Sequence, residues 1–390
     1  MQSTDERNLE TIPVGPLGII PLKSCCELGK KVNDYLIQWR QERDHEHKTT
    51  IAFEGYQRDS YIIAAEVPRF GSGEAKGMIK DSVRGDDIFI MVDVCNHSLT
   101  YPIFGKTNRM SPDDHYQDLK RIIAALGGKA RRISVIMPFL YESRQHKRTS
   151  RESLDCALAL QELVSMGVDN IITFDAHDPR VQNAIPLKGF DTIQPVYQFI
   201  KGLFRAVPDL HIDNRSTMII SPDEGGMARA IYMANVLGVD MGMFYKRRDF
   251  STIIDGTNPI IAHEFLGTDV TDMDVIIIDD MISSGGSMLD VAAELKKRKA
   301  KRVFVCSTFG LFTNGLDKFD KAYEDGIIDY VLTTNLIYQS PALLSKPYYI
   351  NCDMSKYLAY IIDTLNHDDS ISALLNPLDR IKKFLEKHNK

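Results

Sequence analysis

No stretch of this chain approaches the roughly twenty consecutive apolar residues that a membrane helix needs, and its start, Met1-Gln-Ser-Thr-Asp-Glu-Arg7, is polar and acidic. The expectation is therefore no membrane span and no secretion. The six cysteines lie scattered without a C-x-x-C pair, which argues against both a disulfide framework and a zinc knuckle. A reducing cytoplasm fits that usage. Net charge is only −6, so the chain as a whole makes no electrostatic case for nucleic acid, and no added basic reading module stands out. No internal repeat, low-complexity tract or Gly-x-x-x-x-Gly-Lys-Ser/Thr phosphate loop is present.

What is present is an ordinary globular composition over 390 residues, enough for two domains plus extensions. The first sixty-odd residues carry a helical rhythm from Lys31 to Arg40 and the charged connector Gln41 to Lys48, with no assigned chemistry. Strand and helix patterns then alternate. Strands are expected at Asp87 to Val92, Ile133 to Met137, Asn170 to Phe174, Thr217 to Ile220, Met241 to Tyr245, Val275 to Ile278 and Arg302 to Ser307. Helices are expected at Asp114 to Leu126, Ser150 to Met166, Gly226 to Leu237 and Met288 to Lys299. Such alternation predicts an α/β fold with a mainly parallel, doubly wound sheet in each half. The joint falls near Asp191 to Pro195, and Asn376-Pro377 opens a last amphipathic helix.

The chain is organised around Val275-Ile-Ile-Ile-Asp-Asp-Met-Ile-Ser-Ser-Gly-Gly-Ser287. Four apolar residues, three of them isoleucine, read as a strand buried on both faces. Two carboxylates, Asp279 and Asp280, stand at its carboxyl end. The turn Ser283, Ser284, Gly285, Gly286, Ser287 then opens a helix, and such a turn can hold a phosphate on backbone N–H groups. Ligands in open α/β sheets collect beyond the carboxyl ends of the strands.

Four other stretches end strands or sit on loops, and each admits a chemical and a plain reading. Asp175-Ala-His177 can reach Mg²⁺ or its bound phosphates, or be a surface loop. In Ser221-Pro-Asp-Glu-Gly-Gly226, Asp223 is a metal ligand or the N-terminal acid of a helix. Lys246-Arg-Arg248 offers cations to a transferring phosphoryl group from a lid, the loop-like Phe250 to Asp274, or is a solvated run. Arg144-Gln145 presents a guanidinium fork and an amide to a nucleotide, or lies in solvent. Weaker is Phe70-Gly-Ser-Gly-Glu74, where an aromatic ring and a carboxylate could grip adenine or simply form a turn.

Taken in their order along the chain, together with Ser82-Val-Arg-Gly85, these motifs resemble ribose-phosphate pyrophosphokinases from about Phe70 to Cys352. The resemblance implies two tandem phosphoribosyltransferase-like domains: an N-terminal extension (1–65), a domain on the ATP side (66–195), a domain on the ribose 5-phosphate side (196–366) and a C-terminal helix (367–390). It implies Mg²⁺ near His177, Asp223 and Asp175. ATP would be held between subunits by Phe70, Ser72, Gly73, Glu74, Arg144 and Gln145. Ribose 5-phosphate would sit on Asp279, Asp280 and Ser283 to Ser287, with Lys246 and Arg248 stabilising the transition state. The implied partners are these two substrates and further copies of the chain, as a hexamer or dimer, with no nucleic acid or membrane. The family's sugar-phosphate loop reads Asp-Asp-x-x-Asp-Thr-Gly-Gly-Thr; here Ser283 removes the third carboxylate, while Ser284 and Ser287 keep hydroxyls. His146 replaces a common Asp, and the segment Tyr101 to Asp113 is longer than usual. A silent regulatory paralogue is the alternative. A transferase that consumes the activated sugar leaves the first-half motifs unexplained.

Overall fold

The computed structural model describes residues 11–43, 55–248 and 260–388; the side chains of 246–248 and 260–263 lie outside that description. The described chain divides into two compact units, one built mainly from residues up to Gln194 and one from Pro195 onward.

In the first unit, strand β1 (Leu17–Pro21) leads into helix α1 (Cys26–Glu42). A short pair, β2 (Ala65–Glu66) and β3 (Met78–Ile79), precedes the wholly buried β4 (Asp87–Met91). An antiparallel hairpin, β5 (Thr100–Ile103) and β6 (Lys106–Arg109), fills the long segment before helix α2 (Pro112–Leu126). Strand β7 (Arg132–Ile136), helix α3 (Asp155–Ser165), β8 (Asn170–Phe174) and β9 (Gly189–Ile193) complete it. The sheet is parallel throughout, in the order β1-β4-β7-β8-β9.

Helix α2 starts two residues earlier than its apolar rhythm suggests. Ser111 and Asp114 form a reciprocal capping box, Pro112 occupies the first turn, and Gly127 closes the helix at φ +58. Helix α3 starts five residues later than expected. Thr149 and Ser150 bind the Glu152 carboxylate instead, a local alternative that competes with helix formation.

The second unit opens with helix α4 (Val196–Ala206) and strand β10 (Thr217–Ser221), followed by helix α5 (Met227–Leu237). Strands β11 (Asp240–Arg248) and β12 (Ile260–Leu266) pair antiparallel. The stretch expected to be loop between Phe250 and Asp274 thus contains a strand, and residues 250–259 of the expected lid lie outside the described residues. Next come β13 (Asp274–Ile282), α6 (Gly286–Lys297), β14 (Arg302–Gly310), α7 (Asp317–Glu324), β15 (Tyr330–Thr334), α8 (Pro341–Leu344) and β16 (Tyr349–Cys352). The strand order is β12-β11-β10-β13-β14-β15-β16. It reverses between β10 and β13, which is the switch point where an open parallel sheet offers a crevice. The first unit's order runs in chain sequence without such a reversal, so the doubly wound expectation holds for the second sheet alone.

The chain then returns to the first unit with helices α9 (Ser355–Asn366) and α10 (Ser372–Leu375), while α11 (Leu378–His388) packs on α4 and α5 of the second. Two corrections follow for the expected domain limits. Within the expected extension 1–65, the described β1 pairs with β4 and α1 packs on β1, so both belong to the first unit. Residues 353–366 belong with the first unit, because α9 packs against α1.

Candidate active site

In the second unit the sequence suggests that the central strand stops before its two acids. It continues to Ile282, because Met281 and Ile282 stay in register with Phe309 and Gly310 of β14. Asp280 is therefore buried, and Asp279 half-buried beside it. Burial, and then the charge of Asp280, push the Asp279 carboxyl well above the usual carboxylate range, with Arg229 opposing. Arg229 is itself buried on α5, its Nη1 lying 3.4 Å from Asp279 Oδ1 and 4.0 Å from Asp280 Oδ1. Two adjacent acids beside a guanidinium are acceptors of the kind that vicinal sugar hydroxyls or a cation can use.

The turn after β13 is built for its glycines. Gly285 sits at φ +79, and a Cβ there would lie 2.3 Å from the Phe319 ring of α7, so only glycine fits. Thr313 donates its N–H to Ser283 O at 3.0 Å, fixing the loop's approach. Helix α6 begins at Gly286, so its first N–H groups have no partners within the helix and form an anion-receptive end flanked by Ser284 and Ser287.

Across the switch point, the loop after β10 is closed by its own acid. Asp223 Oδ1 accepts the N–H groups of Gly225 at 3.0 Å and Gly226 at 3.3 Å, and Ser221 Oγ donates to Asp223 O at 2.6 Å. The acid thus secures the turn that opens α5. Lys246 and Arg248 lie at the end of β11, with Lys246 opposite His263 of β12, and their side chains fall outside the described residues.

In the first unit Asp175 follows β8 at φ +40, a backbone setting unusual for a residue with a side chain. It is buried, and Gln194 Nε2 donates to its Oδ1 at 2.9 Å. The half-buried His177 has the His146 ring at a centroid distance of 5.3 Å. His146 Nε2 lies 3.5 Å from Asp178 Oδ2. The hydrogen bond from Arg180 holds the Asp178 carboxyl down at about 2. The basic run 144–148 is thus brought to the Asp175–His177 loop through His146. Arg144 is exposed. Gln145, expected to read a base, donates Nε2 to Ser153 O at 2.8 Å, which ties its amide to its own loop.

The Phe70 loop is a tight turn. Phe70 N–H donates to Glu74 O at 2.7 Å, Gly73 N–H to Phe70 O at 2.9 Å, and Ser72 Oγ to Glu74 Oε2 at 2.9 Å. Gly73 takes φ +94, and the Phe70 side chain stands 53% exposed. Among the described residues no group of three or more His, Cys, Asp or Glu could enclose a metal. Mg²⁺ carried mainly by substrate phosphates and water needs only one or two protein ligands, so the separate His177, Asp175 and Asp223 suit that mode. Sequence reasoning missed Arg229 and Phe319. Arg229 left a signal, a cation one helical turn past Gly225-Gly226; Phe319 left none.

Comparison with known proteins agrees in order and extent. A model of the N-terminal domain of ribose phosphate pyrophosphokinase matches residues 17–167, and a phosphoribosyl transferase domain model matches 189–345. The ribose-phosphate pyrophosphokinase of Vibrio vulnificus (strain YJ016) is 31% identical over 317 residues, covering 80% of this chain and 91% of that protein. That of Buchnera aphidicola subsp. Acyrthosiphon pisum is 30% identical over 314 residues, covering 80% and 90%. The crystal structure of phosphoribosylpyrophosphate synthetase from Mycobacterium smegmatis superposes with a TM-score of 0.69 at 22% identity, over 90% of this chain and 99% of that one, a likeness of fold. With two matched domains in tandem and relatives covered nearly end to end, the chain belongs to the ribose-phosphate pyrophosphokinase family.

Proposed function

We propose that this chain is an Mg²⁺-dependent diphosphokinase that moves the β,γ-diphosphoryl group of ATP to the 1-hydroxyl of ribose 5-phosphate. The sugar O1 forms a bond to the β-phosphorus while the bond from that phosphorus to the α,β-bridging oxygen breaks. AMP leaves with that oxygen, and the hydroxyl proton passes to solvent. The observation that carries this reading is the buried Asp279–Asp280 pair with Arg229, next to a glycine-shaped helix opening. Sugar hydroxyls donating to the two acids, and a 5-phosphate on the N–H groups of Gly286 and Ser287, would satisfy both features at once.

Phe70, Ser72, Glu74 and Arg144 are the residues we assign to the nucleotide. His177, Asp175 and Asp223 are those we assign to Mg²⁺, which when bound would neutralise phosphate charge and align the β-phosphorus. Lys246 and Arg248 are assigned to the charge that develops during transfer. Rate enhancement then comes from positioning and electrostatics, with no covalent enzyme intermediate. We further assign the chain to the cytoplasm and to a homo-oligomer in which neighbours share the nucleotide.

Purified protein incubated with MgATP and ribose 5-phosphate should release AMP and 5-phosphoribosyl 1-diphosphate in equal amounts, with none when either substrate is omitted. Binding of both substrates without AMP release would instead support the silent regulatory paralogue to which Ser283 points.

A further inference from the structure

The β5–β6 hairpin turns on Phe104 and Gly105, both at positive φ, +45 and +75. A two-residue turn of this kind selects Asn-Gly or Asp-Gly, because short polar residues tolerate the left-handed region and a bulky ring does not. Phe104 also gains nothing from burial, standing 80% exposed. A ring held out in solvent, on backbone that disfavours it, marks a contact the isolated chain does not complete.

Its neighbours say what that contact is. Phe104 N–H donates to Gly71 O at 2.9 Å, so the hairpin tip is tied to the Phe70 loop. Ile103 Cδ1 lies 2.7 Å from where a Cβ on Gly73 would be. At the root, the Arg69 guanidinium lies 4.7 Å over the Tyr101 ring and donates to Asp118 at 2.8 Å. The loop is thus braced at Arg69, Gly71 and Gly73 by one hairpin. On the adjoining tips stand two exposed aromatics, Phe70 and Phe104, with the Ser72 hydroxyl and Glu74 carboxylate on the same loop. An apolar protein patch has no use for that carboxylate. A purine has two stackable faces and an amino group that a carboxylate can accept from.

We propose that Phe104 is a second aromatic contact for the nucleobase, and that the hairpin holds the Phe70 loop in its binding shape. This rests on the assignment of Phe70, Ser72 and Glu74 to the nucleotide. Phe104→Asn keeps a residue suited to the turn and removes only the ring. It should raise KM for ATP about tenfold, the order expected for one stacking contact, with kcat and KM for ribose 5-phosphate unchanged. The dissociation constant of α,β-methylene ATP, which cannot be cleaved at the reacting bridge, should rise equally, and the thermal midpoint should hold or increase. Phe104→Tyr should retain wild-type affinity. Phe70→Ala separates the two claims. Weaker nucleotide binding in Phe70→Ala but not in Phe104→Asn overturns the role of Phe104 and leaves the loop assignment standing; no effect in either overturns the loop assignment itself. A changed sedimentation coefficient for Phe104→Asn, with nucleotide constants intact, would give the ring to a second copy of the chain and refute the proposal.

Discussion

Gly285 shows how a single position constrains the turn after β13. Its φ of +79 is open to glycine, and the Phe319 ring fills the space a methyl would need. Gly285→Ala is expected to destabilise the second unit by about 1–3 kcal/mol through combined strain and overpacking, and to raise KM for ribose 5-phosphate more than KM for ATP. Denaturant midpoints and paired Michaelis constants would check this, and unchanged values for both would remove the turn from the proposed sugar-phosphate site. The two acids before it were visible in the sequence, whereas their mutual repulsion was not. It depends on Met281 and Ile282 continuing the strand, which draws Asp280 into the sheet.

The antiparallel β11–β12 pair is the element that carries the proposed transfer cations. Strand β11 outruns the parallel sheet because β12 lies antiparallel on it, with a register shift between Arg247 and Arg248. The apolar run Met241 to Tyr245 announced only the first part of the strand, since the polar continuation lacks the alternation that marks a strand. On the assigned role, Lys246→Ala should lower kcat by orders of magnitude while ATP binding stays largely intact, because its charge matters most during transfer. Full turnover in that variant, measured by AMP release, would cancel the role. Helix α2 offers the contrasting case: Ser111-Pro112-Asp113-Asp114 spells its own capping box, so its beginning is fixed locally.

Helices α1 and α9, far apart in sequence, meet in the first unit. Arg40 on α1 donates to Asp363 on α9 at 3.0 Å and to Asn366 at 2.7 Å, with Arg43 2.6 Å from the same acid. Burial works to raise the Asp363 carboxyl, yet Arg40 and Arg43 hold it below the usual range. Replacing Arg40 with Met keeps the bulk and leaves a buried acid short of a partner, so a loss of about 3 kcal/mol is expected in denaturant unfolding of the full chain. A loss within a few tenths of a kcal/mol would show that Arg43 alone suffices.

Alternating apolar runs, Gly-Gly turns and acids at strand ends were enough to yield the α/β class, strands β4, β7, β8, β10, β11, β13 and β14 and the Gly-Gly turn after β13, because each is encoded by neighbours in sequence, whereas β9, β15 and β16 went unread. The places where that reading fell short share one cause. Strand β1 joins the first sheet by pairing with β4, Leu17 opposite Asp87, helix α9 packs on the sequence-distant α1, β12 is a strand because β11 lies beside it, and Arg229 faces Asp279 because β10 and β13 are neighbours. Local backbone preference and periodicity travel with the chain; partnership between distant segments arises when the sheet assembles and buries them together.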